Sequence, residues 1–305
     1  MDEISDCVIV GGGAAGLSAA LVLGRARRRT LLVDAGAQSN LSAHGIGGLL
    51  GFDGVPPAQL YAQGRRELAR YPSVTVHHGE VVAATPDEGG FAVTLADGGR
   101  ARSRLLLLAA GMRYACPDVP GVQELWGTSV FHCPFCHGWE VRDQPLAVLA
   151  DGEQAVHKAL LLQGWSSDVV VLTSGPPRIP DSDRDRLAAA GIRVDDRAVV
   201  RAIAEDGTLA AVEFADGDRL PRRGLLVSAT LYQRSPLAAR LGVRFAGPGP
   251  VSAESIDVDP FYRTSVPGVF AAGDVCAQLP QVAAAIAAGS GAAASVVRTL
   301  MEEQR

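Results

Sequence analysis

Cys133-Pro134-Phe135-Cys136-His137 sets two thiols three residues apart, with an imidazole directly after the second. Thiols at that spacing can close a disulfide within one turn of chain, and a neighbouring imidazole is suited to move thiol protons near neutral pH. His132 on the other flank admits a competing reading as a metal knuckle, but a closed zinc site needs four ligands. Cys7, Cys116 and Cys276 stand singly, so no second ligand pair is visible and no metal is expected. A purely structural disulfide is the other reading. No secretory signal is evident at the N-terminus, and thiols in a reducing compartment stay reduced unless they are oxidised for chemistry. The expectation is a redox pair in a cytoplasmic protein, with Cys133, Cys136 and His137 as its catalytic residues.

A second pattern positions a ligand. Ser5 to Val10 reads as a buried strand, Gly11-Gly12-Gly13-Ala14-Ala15-Gly16 follows at once, an apolar helical pattern runs through Leu23, and Thr30 to Val33 ends in Asp34. Strand, glycine turn, helix, strand and terminal acid make a dinucleotide-binding βαβ unit. Gly11 allows the tight turn, Gly13 lets the backbone approach a pyrophosphate, Gly16 lets helix pack on strand, and the helix N-terminus faces the phosphates. Asp34 is placed to accept hydrogen bonds from a ribose.

Composition bounds the partners. The chain has 305 residues, 48% of them hydrophobic, and a net charge of −5. That length is enough for two domains with their own cores. No basic stripe is present, so neither nucleic acid nor an anionic membrane is an expected partner. The run Arg25 to Arg29 falls where a helix should end and complements its dipole. Leu105 to Ala110, the most apolar run noted, has only strand length, so no membrane span is expected. Trp126 and Trp139 are expected as core or hinge aromatics.

Near the C-terminus, Gly268 to Asp274 forms a short apolar strand ending in Gly273-Asp274, and a small-residue helix follows from Gln281. This resembles the second FAD segment of flavoprotein reductases, in which the Asp holds the ribityl chain and the helix aims its amides at the flavin. Leu107 to Gly111 supplies the strand and glycine turn that close the first segment. The order FAD half, Cys-x-x-Cys, FAD half is similar to the low-molecular-weight thioredoxin reductase family over nearly the whole chain. The resemblance implies an α/β protein of two Rossmann-like, doubly wound domains. The FAD domain, residues 1–113 and 238–305, would be split by an inserted redox domain over 114–237. It implies a homodimer, Cys136 as the flavin-facing sulfur and Cys133 as the exchanging one. Its FAD-binding candidates are Gly11, Gly13, Ala15, Gly16, Asp34, Val81, Gly111, Gly273, Asp274, Gln281 and Val282.

The sequence departs from that family where NADPH would bind. The second strand and turn read Leu146-Ala147-Val148-Leu149-Ala150-Asp151-Gly152-Glu153, and Thr173-Ser174-Gly175 stands where paired arginines would grip a 2′-phosphate. Two of three glycines are gone and two acids have entered, so NADPH is not an expected partner. Cys-Pro-Phe-Cys-His-Gly-Trp-Glu, residues 133–140, resembles the FAD-dependent dithiol oxidases of the gliotoxin, holomycin and romidepsin type. That resemblance implies a small-molecule dithiol as substrate and O2 as terminal acceptor. Two alternatives stay open: a thioredoxin reductase using NADPH weakly or another donor such as ferredoxin, and a flavin-bearing sensor without turnover.

Overall fold

The computed structural model describes residues 4–303 and divides them into two compact units. The first comprises residues up to 41, 55–114 and those from 231 on; the second comprises 42–54 and 115–230. The chain opens with β1 (Ser5–Val10), α1 (Ala14–Arg25), β2 (Thr30–Asp34), α2 (Pro57–Leu68) and β3 (Val74–His78). The meander β4 (Val81–Asp87), β5 (Gly90–Leu95) and β6 (Arg100–Leu108) follows, and then β7 (Met112–Ala115). β1 lies between β2 and β6, parallel to both. Its apolar run has no polar face because both faces are covered. Cys7 and Ile9 join Leu105 and Leu107 in the core under α1, while Val8 and Val10 join Leu106 and Leu108 on the opposite side.

The second unit carries β8 (Val130–Phe131), the short helical turn α3 (Pro134–His137), β9 (Leu146–Leu149), α4 (Gly152–Leu162), β10 (Val169–Leu172), α5 (Asp181–Ala189) and β11 (Arg193–Asp195). After these come β12 (Val199–Glu205), β13 (Thr208–Phe214), β14 (Arg219–Pro221) and β15 (Gly224–Val227). A five-stranded parallel sheet runs in the order β11-β10-β9-β15-β8, beside an antiparallel sheet β12-β13-β14. The α4 face Ala155, Val156, Ala159 and Leu162 buries against Leu146, Val148 and Val171.

The return begins with β16 (Thr230–Gln233), which pairs with β7, and continues through α6 (Leu237–Arg240), β17 (Val269–Ala271) and α7 (Val282–Glu302). β6 is shared along its length: its first half pairs with β5 and its second half with β17. The return to the first unit falls at 230/231, ahead of the expected 237/238, because Leu231 and Leu237 already sit in the first unit's core. Residues 42–54, expected with the glycine-turn half, group with the second unit, where Gly47 packs on the Cys136 backbone.

α7 corrects the expectation that no apolar stretch reaches membrane-spanning length. It has 21 residues and is apolar enough to qualify by length and composition. One face of it, including Ala285, Ala292, Val296 and Leu300, is buried in the core beneath α1. Gly289 makes that packing possible, since a Cβ there would strike the Ala15 carbonyl.

Candidate functional site: a dithiol pair and a glycine-turn cradle

Cys133 caps α3 and Cys136 sits in its single turn, both half-buried and both unbridged. The Cys136 thiol donates to Cys133 Sγ at 2.9 Å. That bond lowers the Cys133 thiol to about 7, helped by the backbone amides of Cys136 and Phe135 and by the Lys158 ammonium, against the opposing effect of burial. Cys133 is therefore substantially thiolate at neutral pH.

His137 stacks on Phe131 with ring centroids 5.7 Å apart and planes 15° apart. Burial is the main cause holding its pKa below the usual range; the Glu140 carboxylate works in the opposite direction. The ring is neutral at pH 7 and able to accept a proton. His132 stacks on Trp126 and is pushed down to about 4, first by burial and then by the neighbouring His137 ring and the Lys158 ammonium. It is no proton carrier near neutrality. Trp139, expected as a core or hinge aromatic, is instead 65% exposed, with the Arg142 guanidinium 3.9 Å over its ring. Phe135, between the cysteines, is 63% exposed and meets Trp165 edge-on.

A pocket of about 350 Å³ within the second unit reaches Cys136 and His137. Its walls include His44, Ser129, Glu140, Gln144 and Arg223. His44 thus lines the same pocket as Cys136 and His137. The pocket draws on five stretches of chain, and no local motif marks it.

The glycine turn of the first unit is closed by the absence of side chains. Gly11 has φ of 110°, and a Cβ on it would strike the Ala109 carbonyl; a Cβ on Gly16 would strike the Gly11 carbonyl. Gly12, which the motif reading passed over, is equally constrained, because a Cβ there would fall on the Asp34 carboxyl. A Cβ on Gly13 would have nothing closer than Gln38 Cγ at 3.7 Å. The protein itself therefore leaves room at Gly13, as close approach of a phosphate requires. α1 starts without a side-chain cap, so its first amides have no partner from a capping side chain and face that space.

Asp34 is almost fully buried, and the protein already occupies most of its carboxylate. Oδ1 accepts from the Gly36 amide at 2.9 Å and Gln38 Nε2 at 3.0 Å, and Oδ2 accepts from Arg65 at 3.0 Å. One lone-pair direction on Oδ2 is left for a ribose hydroxyl. Among the described residues the Asp274 carboxylate accepts one long hydrogen bond, from the Tyr114 hydroxyl at 3.4 Å, and burial pushes it up to about 6 against the opposing effects of that bond and the Arg234 charge. A carboxylate so short of donors is matched by a chain of hydroxyls. Gly273 at φ 83° and Gln281, the N-cap of α7 ahead of Val282, stand nearby in sequence. Gly111 is a left-handed turn residue at φ 71°. Val81 opens β4 with its side chain in the sheet core beside Val33. This donor and acceptor set fits FAD.

The second unit has the same strand-turn-helix layout without the cradle. Asp151 is the N-cap of α4, with its carboxylate clasped by Arg178: Oδ1 accepts the Arg178 amide at 2.8 Å and Oδ2 accepts Nε at 2.7 Å. A carboxylate and its guanidinium thus stand beside the turn that would have to cradle a second pyrophosphate.

Comparison with known proteins agrees with this layout. The family model described as pyridine nucleotide-disulphide oxidoreductase matches residues 5–289. The thioredoxin reductase tcpT of Claviceps purpurea (strain 20.1) is 33% identical over 297 residues, 94% of this chain and 91% of its own. The crystal structure of an oxidoreductase from Agrobacterium tumefaciens superposes with a TM-score of 0.92 at 36% identity, covering 98% of this chain and 99% of that one. The crystal structure of HlmI gives 0.92 at 38% identity, covering 100% and 95%.

Proposed function

This chain belongs to the pyridine nucleotide-disulphide oxidoreductase family, with a thioredoxin reductase-like fold and FAD as its cofactor, and on that footing we propose that it oxidises a small-molecule dithiol to a cyclic disulfide. The observation that carries this reading is the Asp151–Arg178 clasp at the start of α4. A pyrophosphate brought there would face a carboxylate, and the guanidinium that would attract it is already paired. An enzyme that draws its electrons from the substrate has no need of NADPH.

The chemistry begins from the oxidised pair. One substrate thiolate attacks Cys133 Sγ, the Cys133–Cys136 bond breaks, and Cys136 leaves as thiolate and takes up a proton. The second substrate thiolate attacks the substrate sulfur of the mixed disulfide. The ring closes, and Cys133 leaves with the bonding pair. A thiol of low pKa leaves faster, and Cys133, lowered to about 7 while Cys136 donates to it, is that thiol. Two electrons have then passed from substrate to the enzyme pair, with one proton on Cys136, Cys133 as thiolate and the second substrate proton released to solvent. Bound FAD supplies the two-electron acceptor that restores the enzyme disulfide, with O2 as terminal acceptor and hydrogen peroxide as product. His137, neutral and in the same pocket as Cys136, accepts the proton released as the pair recloses. A homodimer is the expected assembly.

A second reading is favoured by relatives such as the thioredoxin reductase tcpT: reduction of a protein disulfide, docked on the exposed Phe135 and Trp139. Aerobic oxygen uptake separates the two. Dithiothreitol alone should drive oxygen consumption with equimolar peroxide. Oxygen uptake that stays at background with dithiothreitol, together with NADPH-dependent reduction of thioredoxin, would reject the oxidase reading.

A further inference from the structure

The pocket beside Cys136 holds two groups in contrasting states. Both ring nitrogens of His137 are shut off from bulk solvent, and neither closes a hydrogen bond of full geometry, although the Gly127 and Cys133 backbones lie close enough to favour its protonated form. The ring lies stacked on Phe131. Three residues on, Glu140 is exposed, and it lines the same pocket. A buried, neutral imidazole whose nitrogens are only weakly engaged by backbone is poised to take a proton from a group entering the pocket. It needs a wetter base nearby to pass that proton on.

We propose that Glu140 is a positioning residue for the thiol chemistry: from the wall of the pocket it shares with His137, its carboxylate supports the imidazolium and carries the Cys136 proton from it out to solvent. The inference rests on the dithiol–disulfide reading of Cys133 and Cys136. When the pair recloses, the S–H bond of Cys136 breaks and its proton goes to neutral His137. The imidazolium then returns that proton, through Glu140, to water, and His137 is neutral again for the next turnover.

The surroundings of His137 leave this role to Glu140. Cys133 and Cys136 share its turn, His132 follows the end of β8, and His44 and Arg223 stand on other walls of the pocket. Lys158, on α4, acts on Cys133 and His132. Glu140 is the one carboxylate among the described residues lining the pocket. Its charge favours the imidazolium and opposes the effect of burial, ahead of the smaller contributions of the Gly127 and Cys133 backbones in the same direction.

The test uses the FAD-loaded protein in two arms. In the first, histidine-labelled protein is titrated by NMR, with His137 assigned from the H137Q spectrum. Glu140→Gln should lower the His137 midpoint by about 0.5 pH unit, roughly a threefold loss of imidazolium at a given pH. An unchanged midpoint overturns the proposal. In the second arm, Glu140→Ala should slow dithiothreitol turnover roughly tenfold in kcat with KM little changed, and added imidazole should restore the rate. A rise in KM at constant kcat overturns the proposal and makes the pocket a substrate-holding site. If the unaltered protein oxidises no dithiol, the parent reading has failed, and the NMR arm still decides the role of Glu140.

Discussion

Replacing Cys136 by alanine removes the donor that does most to lower the Cys133 thiol. With that donor in place the thiol is brought from 9.0 to about 7, so roughly half of it is thiolate at pH 7. Without it, the amides of α3 and Lys158 remain, opposed by burial, and the midpoint should rise by ~1.5 to 2 pH units. The thiolate fraction at pH 7 then falls ~15- to 50-fold. A more basic thiolate is also intrinsically more nucleophilic, by a factor of ~5 over that range, so the alkylation rate at pH 7 drops only ~3- to 10-fold. The midpoint of the rate profile is therefore the sharper quantity. The assay is iodoacetamide labelling followed by mass spectrometry between pH 5 and 10. The other thiols stay silent over most of that range, because burial pushes Cys116 up to about 11, Cys276 up to about 12 and Cys7 higher still. Cys136→Ser keeps a hydroxyl donor and should keep most of the depression. A Cys136→Ala midpoint still near 7 would refute the reasoning and assign the depression to Lys158 and the backbone.

Two further outcomes follow from the first unit. Gly289→Ala drives a methyl onto the Ala15 carbonyl, so α1 and α7 have to part; urea unfolding should register a loss of ~1 to 3 kcal/mol, and the purified protein should carry less FAD. In the FAD-free protein, Asp274→Asn removes a carboxyl whose folded pKa is raised to about 6. Below pH ~4 the carboxyl is protonated both folded and unfolded, whereas from ~4 to ~6 only the folded state keeps its proton, so the unaltered protein loses stability as pH rises through that window. The variant should equal it at pH 4 and exceed it by ~1 to 2 kcal/mol above pH 6, after discounting for partial exposure; thermal unfolding across that range checks it.

The parts of the fold that the sequence announced are those fixed by neighbours in the chain. β1, its glycine turn, α1 and β2 were legible because a strand buried on both faces is a continuous apolar run, and because the turn closes only without side chains. The Cys133–Cys136 pair is legible for the same reason, its geometry lying within one turn. What stayed hidden depends on distant partners. Asp34 was expected to wait for a ribose, yet Arg65, 31 positions away, holds one of its oxygens. The acid at Asp151 was legible, but not that Arg178 clasps it from 27 positions on. Gly12 escaped notice because the motif assigns it no role, although Asp34 forbids a side chain there. Trp139 looked like core until the fold left it on the surface, where an arginine covers it. The pocket at His137 joins stretches as far apart as His44 and Arg223, beyond the reach of any local pattern.

The central claim is that electrons enter from a small dithiol and not from NADPH. Anaerobic stopped-flow absorbance of the FAD-loaded protein, mixed separately with each, tests it directly. Bleaching of the flavin by dithiothreitol but not by NADPH, with recovery and peroxide on admitting air, is the predicted result. Rapid bleaching by NADPH would contradict the account, because it would mean that the Asp151–Arg178 clasp does not keep a pyrophosphate from the start of α4.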